Sequence, residues 1–409
     1  MNVLIYVPYI MGQTWGGIRQ YAVALLRILA EDTRNRYFVY HNTDDPQIME
    51  VLREYPHLTQ VRDSTALSAK VSRRLITPLN RARVLGAMLT QRMGLAAKIR
   101  LTPRYQLDGL CRQYSIDIVH TPFQWLPDCT TAMRISTMHD VQEIHFPGFF
   151  TARDRAGRAN ANLSIALEAD AVVTSYAHVK ADLHHYFGIP TERIRVVLLN
   201  MGRLWFDKFR DGSKSAADLD LPANWPYLFY PAVTWEHKNH VQLLEALALL
   251  KTRGLTVNMV FSGHLTDYYS QVVAPAVERL GLTEQVRFLG IVEEPVLYAL
   301  YQHARGVVVP TLYEAGSFPL MESMLMGVPV VCSNVTSLPE TVDNAMFVFD
   351  PRQVEDITRS VEQLWQSADF RAASQANSHR AAPALLNTQA LRKLQALYDE
   401  CRPLPTITT

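Results

Sequence analysis

The run Gly306-Val-Val-Val-Pro-Thr311 and, just after it, Glu314-Ala-Gly-Ser-Phe-Pro-Leu-Met-Glu322 decide the fold class of this chain. The first piece is short, apolar and β-branched, which reads as a strand buried on both faces. The second passes through a small glycine-containing turn into Leu320-Met-Glu-Ser-Met-Leu-Met326, a helix stopped by Gly327. A strand, a tight turn and a helix in that order form the first half of a parallel βαβ unit. Such a turn aims unpaired backbone N–H groups and the positive helix end at an anion, and Glu314 and Glu322 can accept hydrogen bonds from hydroxyl groups. One turn can therefore serve both a phosphate and a polyol.

The same alternation extends in both directions along the chain. Strand-like runs occur at Asn2-Val-Leu-Ile-Tyr-Val-Pro8, Tyr37–Tyr40, Ile116–His120, Ile135–Met138, Ala171–Thr174 and Ile194–Leu199, with helical stretches between them. After a polar, irregular stretch from Asn200 to Trp225 the pattern restarts at Tyr227–Tyr230, Val257–Phe261, Val286–Leu289, Gly306–Val309 and Val328–Val331. Alternation of this kind predicts parallel sheets covered by helices. The 409 residues are too many for one ordinary core, and two domains of roughly 200 residues each are expected. The predicted boundaries are 1–200, a linker at 201–225 and a second domain at 226–385, with a last helix at about 386–409.

Composition narrows the function classes. Lys plus Arg number 40 against 39 Asp plus Glu, so the overall charge gives no hold on nucleic acid. Cys111, Cys129, Cys332 and Cys401 lack metal-ligand or CxxC spacing, which predicts a reduced, cytoplasmic protein with no zinc site. The N-terminal apolar run is too short for a leader and no run of about eighteen apolar residues occurs, so a first strand is expected and no membrane span. Residues 70–104 stand apart: Lys70, Arg73, Arg74, Arg81, Arg83, Arg92, Lys98, Arg100 and Arg104 occur with no Asp or Glu among them. Interleaved with Leu75, Leu79, Met88 and Leu95, they form either a face for an anionic membrane surface or a solvated helix pair balanced by acids elsewhere.

With Gly327-Val-Pro-Val-Val-Cys-Ser-Asn334 and Leu338-Pro-Glu340 following, the Glu314/Glu322 pair resembles the E-x7-E signature of retaining GT-B glycosyltransferases, most like family 4. The stretch His139-Asp-Val-Gln-Glu-Ile-His-Phe-Pro-Gly-Phe-Phe150 is similar to bacterial surface-polysaccharide transferases of that kind. The resemblance implies two Rossmann-like doubly wound domains facing a cleft, with the C-terminal helix crossing back to the first domain. It also implies an enzyme moving a hexose, mannose-type favoured, from a nucleotide diphosphate sugar to a glycan or lipid-linked glycan. No cofactor or metal is implied. The work would be done in the cytoplasm, peripherally on the inner face of the plasma membrane where the acceptor is lipid-linked.

Each task of such a transfer has a candidate residue. In Trp235-Glu-His-Lys-Asn-His240, between a strand and a helix, Lys238 can put a point charge on the diphosphate, with His237 beside it. Many relatives carry an arginine about five positions earlier, where Val233 stands here. Gly16 and Gly17 permit backbone to approach a ligand at a helix start, and in the family such a loop lies near the diphosphate and acceptor. His139, followed by Asp140, ends an apolar strand at the sheet edge where doubly wound folds bind ligands, and by resemblance it contacts the six-position of the transferred sugar. Ser175, after the strand Ala171–Thr174, aligns with a family serine near the cleft. By the same resemblance Glu314 faces the sugar and the reacting centre, Glu322 accepts from the ribose, and the Gly316, Ser317 and Phe318 amides face the diphosphate. Asp218-Leu-Asp220 has the DxD spacing of metal-dependent transferases of another fold, but it falls in the expected linker, and a metal-free reaction is predicted. A catalytically silent glycan-binding module and a nucleotide-sugar epimerase are the alternatives left by the residues, and the donor base stays open among GDP, UDP and dTDP.

Overall fold

A computed structural model of the chain describes residues 1–8, 16–41, 45–62, 107–199, 221–222, 225–386 and 389–401. The chain divides into two compact units, Met1–Leu199 with Thr388–Thr409, and Asn200–Asn387. The first contains β1 (Asn2–Tyr6), α1 (Gly16–Ala30), β2 (Arg36–Tyr40), α2 (Pro46–Glu54), β3 (Thr59–Val61), α3 (Asp108–Gln113), β4 (Ile118–Thr121), β5 (Met133–Thr137), α4 (Gln142–His145), α5 (Ala152–Glu168), β6 (Ala171–Thr174), α6 (Ala177–Phe187) and β7 (Ile194–Val196). Its strands are all parallel, in the order β3-β2-β1-β4-β5-β6-β7. The second contains β8 (Leu228–Pro231), α7 (His240–Thr252), β9 (Met259–Ser262), α8 (Ala274–Arg279), β10 (Val286–Phe288), α9 (Glu294–His303), β11 (Gly306–Val309), α10 (Phe318–Leu325), β12 (Val330–Ser333), α11 (Leu338–Val342), β13 (Val348–Phe349), α12 (Val354–Gln366) and α13 (Ala368–Leu385). Its sheet, again parallel, runs β10-β9-β8-β11-β12-β13. In each sheet the winding reverses beside the first strand, between β1 and β4 and between β8 and β11.

Sequence dictates this locally. β4, β6, β9, β11 and β12 are buried at every position, as strands covered on both faces must be. The helix after β11 begins at Phe318, two residues before the sequence reading placed it, because Ser317 caps it and Pro319 suits its first turn, where a missing N–H costs nothing. It ends as read: Gly327 has φ +69°, open to glycine without strain. β12 begins at Val330 rather than Val328, since Pro329 has no N–H to give a ladder.

The last helix, α14 (Ala390–Glu400), packs on the first unit. It starts at Ala390 and not at 386, because α13 runs on to Leu385 and Leu386 caps it. Leu394, Leu397 and Tyr398 enter the core formed by Val3, Leu25, Leu29 and Tyr37. The Tyr398 hydroxyl lies 2.8 Å from Nδ1 of buried His120, and Gln395 donates to Asp32 at 2.7 Å. Residues 70–104, Asp218 and Asp220, and most of the expected linker, lie outside the described residues. Among the described residues no helix is long and apolar enough to cross a membrane.

Candidate active site

Open parallel sheets bind ligands outside the carboxyl ends of their strands, at the point where the winding reverses. In the second unit that point lies between β8 and β11, and the loops following these strands carry Lys238 and Glu314. The Lys238 ammonium and the Glu314 carboxylate form an ion pair there, their side chains 17% and 12% exposed.

The pair meets because three loops are stitched together by their own backbone. Leu312 N–H donates to His237 O at 2.7 Å, and Thr311 Oγ1 lies 3.0 Å from the same oxygen, tying the β11 loop to the β8 loop. Asn239, at φ +62°, sends its amide to the carbonyls of Pro310 and Pro351 at 3.0 and 2.9 Å. That left-handed turn, cheap for asparagine, puts Lys238 just ahead of α7. The β9 loop joins from the other side, with Thr234 N–H donating to His264 O at 3.1 Å and Thr266 Oγ1 to Thr234 O at 2.6 Å. Gly263 permits the approach: at φ +123° an added Cβ would lie 2.6 Å from Ala232 O.

Beyond Glu314 the chain turns into α10. Ser317, fully buried, caps the helix by accepting from Leu320 N–H at 3.4 Å. The N–H groups of Gly316, Ser317 and Phe318 take no hydrogen bond among the described residues, so they and the helix dipole can face an anion. Glu322, one turn on, is buried, and accepts from the hydroxyl of fully buried Tyr301 on α9 at 2.6 Å. Tyr301 packs edge-on against Phe229 at 5.1 Å, so its hydroxyl is set by core packing. His237 is driven by burial, then by Lys238, to a pKa of about 3, and stays neutral beside the cation.

In the first unit Gly16 and Gly17 open α1. Tyr21, on the next turn, stands edge-on to the His139 ring at 4.6 Å, which brings the glycine turn and the histidine to the same sheet edge. His139 Nε2 donates to Pro122 O at 2.9 Å, so Nδ1 carries the free lone pair and can accept from a hydroxyl. Burial lowers the His139 pKa, which keeps the ring neutral. Asp140 is paired with Arg158, and Arg158 also reaches Glu143 at 2.8 Å, fixing the turn after β5 against α5. Ser175 follows β6, two residues before α6.

The structure thus assembles Lys238, Glu314, Gly316, Ser317, Phe318 and Glu322 at one switch point, and Gly17, His139 and Asp140 along one edge of the other sheet. Several partners were not legible: Thr311 and Tyr301 act through the backbone or from another helix, and no spacing in the sequence announces them. Asn239 alone carried a signal, as an asparagine immediately before an apolar helix. The cysteines read as scattered are partly gathered: Cys111 and Cys129, both buried, have sulfurs 3.7 Å apart.

Comparison with known proteins bears on the family and the fold. The family model for Glycosyl transferases group 1 matches residues 213–380. The O-antigen chain mannosyltransferase B of Escherichia coli is 30% identical over 295 residues, covering 71% of this chain and 76% of that protein. The O-antigen chain mannosyltransferase RfbU of Salmonella typhimurium is 23% identical over 232 residues, 57% of this chain and 58% of that one. Among solved structures, Anabaena Alr3699/HepE in complex with UDP and glucose superposes with a TM-score of 0.64 at 14% identity, over 98% of this chain and 99% of that one. With the two parallel sheets, the paired Lys238 and Glu314 and these likenesses in view, the chain belongs to the group 1 glycosyltransferases and has their GT-B fold.

Proposed function

We propose that this glycosyltransferase moves a mannose-type hexose from GDP-mannose to a glycan or lipid-linked glycan during bacterial surface-polysaccharide synthesis, with retention at the anomeric carbon and without a metal ion. The observation that carries the reading is the Lys238–Glu314 pair at the switch point, next to the Gly316, Ser317 and Phe318 amides, which take no hydrogen bond among the described residues. A nucleotide diphosphate sugar has the matching order of groups. Its diphosphate would meet Lys238 and the Gly316, Ser317 and Phe318 amides, its ribose Glu322, and its sugar hydroxyls Glu314. Transfer needs the leaving diphosphate neutralised in a fixed geometry, which a preformed cation and a helix N-terminus supply with little reorganisation. With no enzymatic nucleophile apparent, the departing phosphate would take the proton of the acceptor hydroxyl. His139, neutral and accepting through Nδ1, would hold a sugar hydroxyl.

Mannose as the sugar is supported by the two O-antigen mannosyltransferases among the relatives. The place of action would be the cytoplasmic membrane face, where lipid-linked acceptors are built. The test is a thermal-shift screen of the purified protein against GDP, UDP, dTDP and ADP, since a ligand bound only by the native state raises its melting temperature. A shift with GDP alone is expected, and should persist in EDTA. A shift with UDP or dTDP instead would overturn the donor assignment, and no shift with any nucleotide would overturn the transferase reading of the site.

A further inference from the structure

The loop after β12 was not singled out in the sequence, yet it holds the residue on which the candidate site turns. Thr336 has φ +50°. For a β-branched side chain that is a strained conformation, and such strain persists only where the surroundings impose it. The imposed contact is with Glu314. Thr336 Oγ1 donates to Glu314 O at 2.6 Å and accepts from Glu314 N–H at 3.3 Å, so one hydroxyl closes on both backbone polar groups of a single residue. Ser337 Oγ lies 3.5 Å from the same carbonyl oxygen, and Ser333 Oγ lies 2.9 and 2.6 Å from the carbonyls of Val309 and Thr311. The β12 loop therefore grips the β11 loop from behind. The only one of these hydroxyls to bond both the N–H and the carbonyl of one residue does so on Glu314, whose carboxylate pairs with Lys238.

We propose that Thr336 is a positioning residue for sugar transfer: its hydroxyl fixes the backbone of Glu314, and so aims the carboxylate that faces the sugar and holds Lys238. The inference rests on the role given to Glu314 under Proposed function. In this role Thr336 acts through the Glu314 backbone, the group its hydroxyl bonds. Its loss should act on the placement of the reacting sugar and spare the binding of the nucleotide.

The test compares Thr336→Val, which keeps the shape and loses the hydroxyl, with Thr336→Ser, which keeps the hydroxyl, in transfer from GDP-mannose to an alkyl mannoside. Thr336→Val is expected to lower kcat by about tenfold or more while the KM for donor stays within about twofold. Thr336→Ser should restore kcat to within about threefold of the parent. Should Thr336→Val fold poorly, Thr336→Gly removes the hydroxyl in a residue at ease with positive φ. It should show the same loss of kcat with unchanged GDP affinity. Parental kcat in Thr336→Val or Thr336→Gly, or a fall in GDP affinity matching the fall in kcat, would overturn the inference. Glu314→Gln serves as the control: if it keeps parental turnover, the reading of Glu314 fails and the inference with it. An inactive Glu314→Gln beside a fully active Thr336→Val would sink the inference alone.

Discussion

At the scale of single residues, the Lys238–Glu314 pair does two things that can be measured apart. It sits between the surface regime, where ion pairs contribute almost nothing, and the buried regime, where breaking one leaves an uncompensated charge. A double-mutant cycle of Lys238→Met and Glu314→Gln in urea denaturation should therefore return a coupling of about 1–3 kcal/mol. Coupling near zero would mean that the two side chains are not held together in solution. Chemistry separates the two glutamates of the motif. Glu322, held by Tyr301 inside the unit, is assigned to the ribose, so Glu322→Ala should weaken GDP binding. Glu314 is assigned to the reacting sugar, so Glu314→Ala should lower turnover more than it weakens binding. Isothermal titration with GDP beside steady-state kinetics decides this, and parental behaviour in both variants would remove the assignment.

At the scale of elements, α14 supplies the clearest energetic test. Its Leu394 is wholly buried in the core of the first unit, against side chains more than 300 positions earlier in the chain. Truncating such a side chain loses its transfer free energy and leaves a cavity, together roughly 2–5 kcal/mol. Leu394→Ala should lower the stability of the first unit by about that amount. Hydrogen exchange should show α1 and β2 opening more readily, and unchanged protection there would mean that α14 is not docked as described.

The elements also show how far the sequence could be read. β-branched runs such as Gly306–Val309 and Ala171–Thr174 announce buried parallel strands on their own, because burial on both faces leaves no polar position. β5 starts at Met133, two residues before its apolar run, because Arg134 is satisfied from outside by Glu168 at 3.3 Å. The motif residues Lys238, Glu314, Ser317 and Glu322 stood out by chemistry and position. The groups that hold them did not: Thr311 and Thr336 work through one hydroxyl on a distant backbone, and Tyr301 is an ordinary aromatic on an amphipathic helix until α9 is docked on the sheet. Long-range contacts of this kind leave no periodicity.

At the scale of the whole molecule, buried neutral histidines tie stability to pH in both units. Burial lowers the pKa of His120 to about 3 and of His178 to about 4 in the first unit, and of His237 and His240 to about 3 in the second. His240 is the starkest case, fully buried among Tyr230, Phe261 and Phe288, with neither ring nitrogen hydrogen-bonded among the described residues. An unfolded histidine binds its proton near pH 6.5. As the pH falls below that value the unfolded chain takes up protons that the folded one refuses, and stability drops with a slope of up to about 1.4 kcal/mol per pH unit for each such residue. Above pH 6.5 these groups leave stability independent of pH. Asp32 and Asp108 act lower: burial pushes their pKa up, but the hydrogen bonds they accept outweigh it and hold them below the usual carboxylate value, so their contribution is lost only as the pH falls through the carboxylate range. The interval from about pH 6.5 down to 4 therefore belongs to the histidines, and it is the same interval in both units. Urea midpoints measured across it should fall steadily with acidification. In His240→Leu, which fills the apolar cage without a titratable group, the dependence should weaken by about one proton, and only for second-unit segments followed by hydrogen exchange. An unchanged slope would show that His240 is protonated in the folded protein, and that its cage admits a partner for the charge.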